Sequence, residues 1–168
     1  MNRNRWIGLV LMMGMAAWFV LSRPSEETRV RRVIEGMARD ASFNGREGNL
    51  SKIAKIESIS AAFTEDAELH VEQVVPLESS VQGREAIRGM LMAGAPFVGA
   101  VDVKVHDVQV TLGAEGEARA VLTASVRTGG GKGEFNAQEF EFRMARIEGR
   151  WRVRRIEAVL GFRRPKIR

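Results

Sequence analysis

The chain of 168 residues contains no cysteine and no tyrosine, and only two histidines, His70 and His106. Without a thiol there is no disulfide, no iron–sulfur cluster and no cysteine nucleophile, and a zinc site would have to set carboxylates beside both histidines. The absence of cysteine fits an oxidising or a reducing compartment equally. An even charge distribution is missing too. The formal net charge is +5, yet residues 1–32 hold six arginines and two acids, and residues 143–168 hold ten lysines or arginines and two acids, which leaves −7 on residues 33–142. An acidic body with a basic strip at each end does not read as a general nucleic-acid binder, so nucleic acid is the disfavoured partner. A hydrophobic content of 45% excludes a disordered chain, and the length suits one domain with an appendage.

The strongest single signal is at the amino terminus, where "MNRNR" precedes "WIGLVLMMGMAAWFVL" and "SRPSEE" follows. Residues 6–21 carry no charge; as a helix they would reach roughly 24 Å, somewhat short of the roughly 30 Å hydrocarbon core of a bilayer. Trp6, Trp18 and Phe19 lie near the ends of the run, where amphipathic rings suit the interface. Arg23 and Pro24 spoil a cleavage site, so residues 1–24 are read as an uncleaved single-pass anchor in a bacterial-type inner membrane, in preference to a cleaved signal or a buried helix. Arg3 and Arg5 favour an inside amino terminus and a domain outside the cytoplasm, although Arg23, Arg29, Arg31 and Arg32 pull the other way.

Residues 25–162 read as one α+β domain, followed by a basic tail at 163–168. The spacing of Val30, Val33, Ile34 and Met37 predicts a first helix, with Ser25 as its cap and Glu26 and Glu27 at the positive end of its dipole. A Gly/Asn-rich loop at 44–49 follows. A second helix is predicted over 51–67, capped by Ser51, with Ile53, Ile56, Ile59, Ala62 and Phe63 on one stripe. Alternation then predicts a strand from Ala67 to Val75, with Ala67, Leu69 and Val71 on one face and Glu68, His70 and Glu72 on the other. Gly83 breaks the chain before a short third helix with Ala86, Ile87, Met90 and Leu91 on its apolar side. The remainder is strand-like, and its alternation slips phase at His106–Asp107 and at Arg154–Arg155, as a β-bulge would make it do. The layout is a curved antiparallel sheet wrapped around helices.

Three phrases, "AAFTEDAELHV" at 61–71, "QGREAIRGML" at 82–91 and "RIEGRWRVRRIEAV" at 146–159, resemble the nuclear transport factor 2-like superfamily, which includes SnoaL-like cyclases and ketosteroid isomerases. The resemblance covers most of residues 26–162. It implies a cone-shaped α+β barrel with an internal pocket, often dimerising through its sheet, on a fold that hosts enzymes, ligand binders and adaptors alike. In the isomerases a carboxylate base follows the "DA" entry and a tyrosine donates into the oxyanion hole. Here the matching position falls near Val71, with Glu72 one residue away on the opposite strand face, and no tyrosine exists, so neither role carries over.

Four residues remain as weak catalytic candidates: His70 with Glu72, two apart on one strand, and His106 with Asp107 at the inferred bulge. Against them stands the plainer expectation that Leu69 and Val71 face the core and both polar pairs meet water. No cofactor or metal is expected. "TGGGKGEF" lacks the Ser or Thr after Lys132 and the strand-to-helix setting of a phosphate loop, so it reads as a hairpin loop. The arginines of "GRWRVRRIEAV" alternate with Trp151 and Val153, which predicts a closing strand with a basic outer face. The tail residues Arg163, Arg164 and Lys166 could attract anionic lipid.

The reading that follows is a membrane-anchored, non-catalytic ligand-binding or assembly module with a homodimer or other protein as partner. The first alternative is a SnoaL-like isomerase, cyclase or hydratase acting on an apolar carbonyl substrate. The second is a basic module for anionic lipid or nucleic acid. An interior filled by Phe63, Phe97, Phe140 and Phe142 would tell against the enzyme.

Overall fold

The computed structural model describes residues 24–70, 80–97, 99–129 and 135–159. The expected anchor at residues 6–21 and the tail at 163–168 lie outside these. Among the described residues no helix is long and apolar enough to cross a membrane.

Helix α1 (Glu26–Asp40) begins as its sequence dictates. Ser25 Oγ accepts from the Thr28 N–H at 3.2 Å, satisfying one of the free donors of the first turn. Val30 and Ile34 are buried, and Val33 and Met37 pack beside them. Helix α2 (Asn49–Ala61) departs from expectation at both ends. It starts two residues early with Gly48 at the cap, so Ser51 sits inside the first turn, and it stops before Phe63. The cause of the early stop is tertiary: Val153 N–H donates to Ala62 O and Phe63 pairs with Val153, so this segment joins the sheet instead of extending the helix. Ile56, Ile59 and Phe63 are buried as the stripe predicts, whereas Ile53 is 42% exposed.

Strand β1 (Phe63–His70) therefore begins four residues earlier than its alternation suggests. A short strand β2 (Ser80–Gln82), which the sequence pattern does not reveal, pairs antiparallel with it. Gly83 then turns the chain at φ 92°, its N–H bonding Ala67 O at 2.7 Å, and helix α3 (Arg84–Gly94) follows. Ile87 of that helix is buried and Leu91 packs on the core, but Ala86 is exposed. Strands β3 (Val101–Leu112), β4 (Glu117–Thr128), β5 (Phe135–Ile147) and β6 (Arg150–Ala158) complete the chain as three successive hairpins. The last turn, Glu148–Gly149, has positive φ at both residues, the geometry whose twist matches two flanking strands.

The sheet order is β2-β1-β6-β5-β4-β3. It is mixed, not wholly antiparallel, because β1 and β6 run parallel. The two lie far apart in sequence, with β2, α3 and three strands between them, which supplies the long connection that a parallel pair needs. Both phase slips are real register shifts. One lies between His106 and Gln109, where Asp107 takes φ 52°, and the other sets Arg154 opposite the step from Arg143 to Met144. Each adds a residue to one strand, which bends that strand and increases its local twist.

Candidate functional site

The sheet offers two faces. On the helix-covered face Ala67, Ala120, Leu122, Met144, Val153 and Ile156 meet Val30, Ile34, Ile59 and Ile87, and Phe140 and Phe142 pack half-buried against them. None of the buried residues described is ionisable. Two buried hydroxyls flank the β1 entry. Ser60 Oγ donates to Ile56 O at 2.7 Å, and Thr64 Oγ1 has no partner among the described residues. Phe63 is in the core as expected, but Phe97 is 90% exposed and fills nothing. Among the described residues the interior is an apolar packing into which no acid or base points, and Gln138, in register with the core-packed Ala124, donates to Val159 O at 2.9 Å.

The open face is different. Arg119 on β4 donates from Nη2 to Glu141 Oε2 on β5 at 2.6 Å, and Arg143 donates from Nε to the other oxygen of the same carboxylate at 3.2 Å. The Arg119 hydrogen bond, with a lesser contribution from Arg143, holds Glu141 below the usual carboxylate range against the opposing effect of its partial burial. Glu141 in turn holds Arg119 more firmly protonated. Further along, Arg155 Nη1 stands 3.1 Å from Glu68 and its Nη2 contacts Glu157, while Arg154 reaches Asp66 at 3.7 Å. These side chains wall a cleft of about 740 Å³ that runs from Asp66 and Glu68 across to Thr111 and Gly113. Four arginines and four carboxylates line it. The expected basic outer face of the last strand holds for Arg150 and Arg152, which form no ion pair among the described residues, and is modified at Arg154 and Arg155. Arg154 and Arg155 are matched by acids on β1, because strand pairing sets the acidic body of the sequence beside its basic end.

His106 and Asp107 do not join His70 in one site, and the pairing of His70 with Glu72 falls outside the described residues. Ala67 and Leu69 turn to the core, so Glu68 and His70 project from the open face, where His70 stands in register with Ser80 and Glu157. Its Nδ1 is buried without a partner among the described residues. Glu72 lies outside them. His106 is exposed on the same open face, with Nε2 3.0 Å from Ser125 Oγ, and Asp107 beside it is exposed as well. The Ser125–His106 contact has the spacing of a nucleophile and its base, but Ser125 is buried at 3% exposure and closed to a substrate. His70 on β1 and His106 on β3 are four strand spacings apart, about 19 Å along the sheet, too far to share a metal. No group of three His, Asp or Glu side chains among the described residues is placed to hold one.

A family profile for the SnoaL-like domain matches residues 53–157, well over half of the sequence. The chain belongs to the SnoaL-like domain family. No curated protein matches it in sequence. Among solved structures of similar shape, a protein from Novosphingobium aromaticivorans provisionally described as an aromatic ring hydroxylase shares 16% identity over 79% of this chain and 87% of its own, with a TM-score of 0.65. A nuclear transport factor 2-like protein of unknown function from Pseudomonas putida shares 15% identity over 83% and 89% of the two chains, with a TM-score of 0.64. A provisionally described scytalone dehydratase, also from Novosphingobium aromaticivorans, shares 18% over 79% and 82%, with a TM-score of 0.60. At these identities the likeness is one of fold, and the SnoaL-like cone carries diverse functions.

Within that fold the open-face residues Asp66, Glu68, Arg119, Glu141 and Arg143 were not distinguished by the sequence pattern as a cluster. The alternation of Phe140 and Phe142 with Glu141 and Arg143 carries the one available signal, since it sends the charged pair to the face opposite the core. Which strands then lie side by side is a matter of register, and that is absent from local pattern.

Proposed function

We propose that this chain is a non-catalytic SnoaL-like module, tethered to a membrane through residues 6–21 with its domain outside the cytoplasm, which assembles with a second copy through the open face of its sheet. The observation that carries the reading is the apolar packing of the cone, in which every candidate acid or base described lies on the other side of the sheet. An enzyme of this shape needs polar groups converging on a dry pocket. Support for assembly comes from the open face itself. Among the described residues no helix covers it, and its equal numbers of arginines and carboxylates can pair with those of a partner turned by two-fold symmetry. The same balance weighs against nucleic acid, whose binding needs uncompensated positive charge.

The activities suggested for the solved neighbours belong to those proteins. The enzyme alternative is tested by thermal denaturation of the full chain in detergent with a series of apolar ketones and enones. The module predicts an unchanged midpoint at every concentration. A saturable rise with one compound would overturn the closed apolar interior, and turnover of that compound by the purified chain would overturn the non-catalytic reading.

A further inference from the structure

Helices α2 and α3 lie side by side and antiparallel. Arg88 Nε donates to Glu57 Oε1 at 2.8 Å near one end of the pair, and Lys52 Nζ donates to Ala95 O at 3.5 Å near the other. That register brings the first turn of α2, which carries Leu50, toward the turn that ends α3, which carries Phe97. These two side chains are the most exposed large hydrophobic groups described, at 83% and 90%, with Ile53 adjoining. Single exposed apolar side chains are ordinary, but two nearly bare ones together at a protruding tip are not.

The charges around the tip are uneven. Of the acids nearby, Glu47 pairs with Lys55 at 2.7 Å and Glu57 with Arg88, while Asp40 accepts from the neutral Ser58 hydroxyl at 2.6 Å, a contact that offsets no charge. Arg39 and Arg46 are exposed and form no ion pair among the described residues. Arg39 and Arg46 against Asp40 leave one positive charge in excess, and bare aromatic and aliphatic groups beside it complement a surface that is anionic outside and apolar just beneath. We infer that the Leu50–Phe97 tip docks into an anionic lipid bilayer. A protein partner is the weaker fit, because three side chains make a patch far smaller than the roughly 800 Å² per partner of a stable interface, whereas shallow insertion needs only a few apolar groups and nearby cations.

The inference deepens the membrane-tethered reading and adds an orientation to it. The chain enters the domain at Pro24, where Glu26 of α1 meets Trp151, and the tip lies beyond the other end of that helix, which is about 22 Å long. A tether at one end and a docked tip at the other place α1 along the bilayer instead of upright on it. The exposed side of α1 presents Arg32, Glu35 and Arg39, one net positive charge, to the headgroups.

Because the chain has no cysteine, Leu50→Cys and Phe97→Cys each provide a unique thiol for an environment-sensitive fluorophore, with Thr111→Cys on the open face as control. The full-length variants are reconstituted in vesicles of phosphatidylcholine alone or mixed with phosphatidylglycerol. Docking predicts a blue shift and quenching by brominated lipid at positions 50 and 97 but not 111, confined to the phosphatidylglycerol vesicles. Arg39→Ala and Arg46→Ala should each lower the ratio of inserted to free tip by roughly fivefold. A water-like spectrum in both vesicles would overturn the inference. So would a blue shift that rises with protein concentration and is untouched by brominated lipid, which would assign the tip to a protein. Flotation with phosphatidylcholine vesicles tests residues 6–21 separately. A chain that fails to float there yet inserts its tip into phosphatidylglycerol vesicles loses the tether and keeps the docking site.

Discussion

The indole Nε1 of Trp151 donates to Oε2 of Glu26 at 2.7 Å, joining the last strand to the first turn of the first helix across 125 residues of chain. The other oxygen of Glu26 takes Arg29 at 2.9 Å and Arg146 at 3.4 Å, so one carboxylate fastens α1 to the β5–β6 hairpin. The ring of Trp151 is buried at 7% exposure. Trp151→Phe keeps much of the ring packing and loses the hydrogen bond, and should lower stability to urea by about 1 kcal/mol. Trp151→Ala also empties the ring's place and should cost about 3–5 kcal/mol. Equal losses for the two would show that the contact with Glu26, and not the buried ring, holds the helix.

The Arg119–Glu141 pair predicts a pH signature. Glu141 has its folded pKa lowered by Arg119 and, to a lesser degree, Arg143. Its contribution is therefore complete above the unfolded carboxylate value of about 4.3 and is lost as pH falls through the lower folded value. The stability difference between wild type and Glu141→Gln should be constant near neutrality and shrink in acid. Urea titrations at a series of pH values check this, and a difference that grows on acidification would contradict it.

Packing of the cone predicts the outcome of opening it. Leu122 is buried at the centre of the helix-covered face. Leu122→Ala should destabilise by about 2–5 kcal/mol and leave an apolar void. That void should take up a small apolar compound with a rise in melting temperature that wild type does not show. An identical rise in both proteins would mean that a pocket exists before the mutation.

Gly83 turns the chain into α3 at φ 92°, a conformation that L side chains rarely adopt. A Cβ there would meet only Glu65 O at 3.8 Å, so space is not the obstacle. Gly83→Ala should cost about 1 kcal/mol or more through backbone strain alone, measured as a shift in the denaturation midpoint at unchanged slope.

Much of the fold was legible in the sequence because it rests on local pattern. The Ser25 cap, the α1 stripe, the turn at Gly83 and both bulges follow from short-range periodicity, and the bulges at His106–Asp107 and Arg154 stand where the alternation slips. What local pattern missed depended on distant neighbours. Phe63 leaves the helical stripe because Val153 offers it a strand partner, and β6 runs parallel to β1 for reasons of topology. Arg154 and Arg155 of "GRWRVRR" read as part of a basic strip because their partners Asp66 and Glu68 lie more than eighty residues away in sequence. The candidate histidines were singled out by residue type and local position, His70 for its spacing to Glu72 and His106 for the phase slip beside it, and neither signal tells which face of the sheet meets the core. Once placed in the sheet, both turn away from the cone.

Assembly through the open face is the central claim, and sedimentation equilibrium of the full chain in detergent tests it most directly. The expected result is a dimer for wild type that Glu141→Arg converts to monomer, since the reversed charge faces Arg119 and Arg143 within the copy and spoils the match between copies. A wild-type monomer, or a dimer that Glu141→Arg leaves intact, would contradict it.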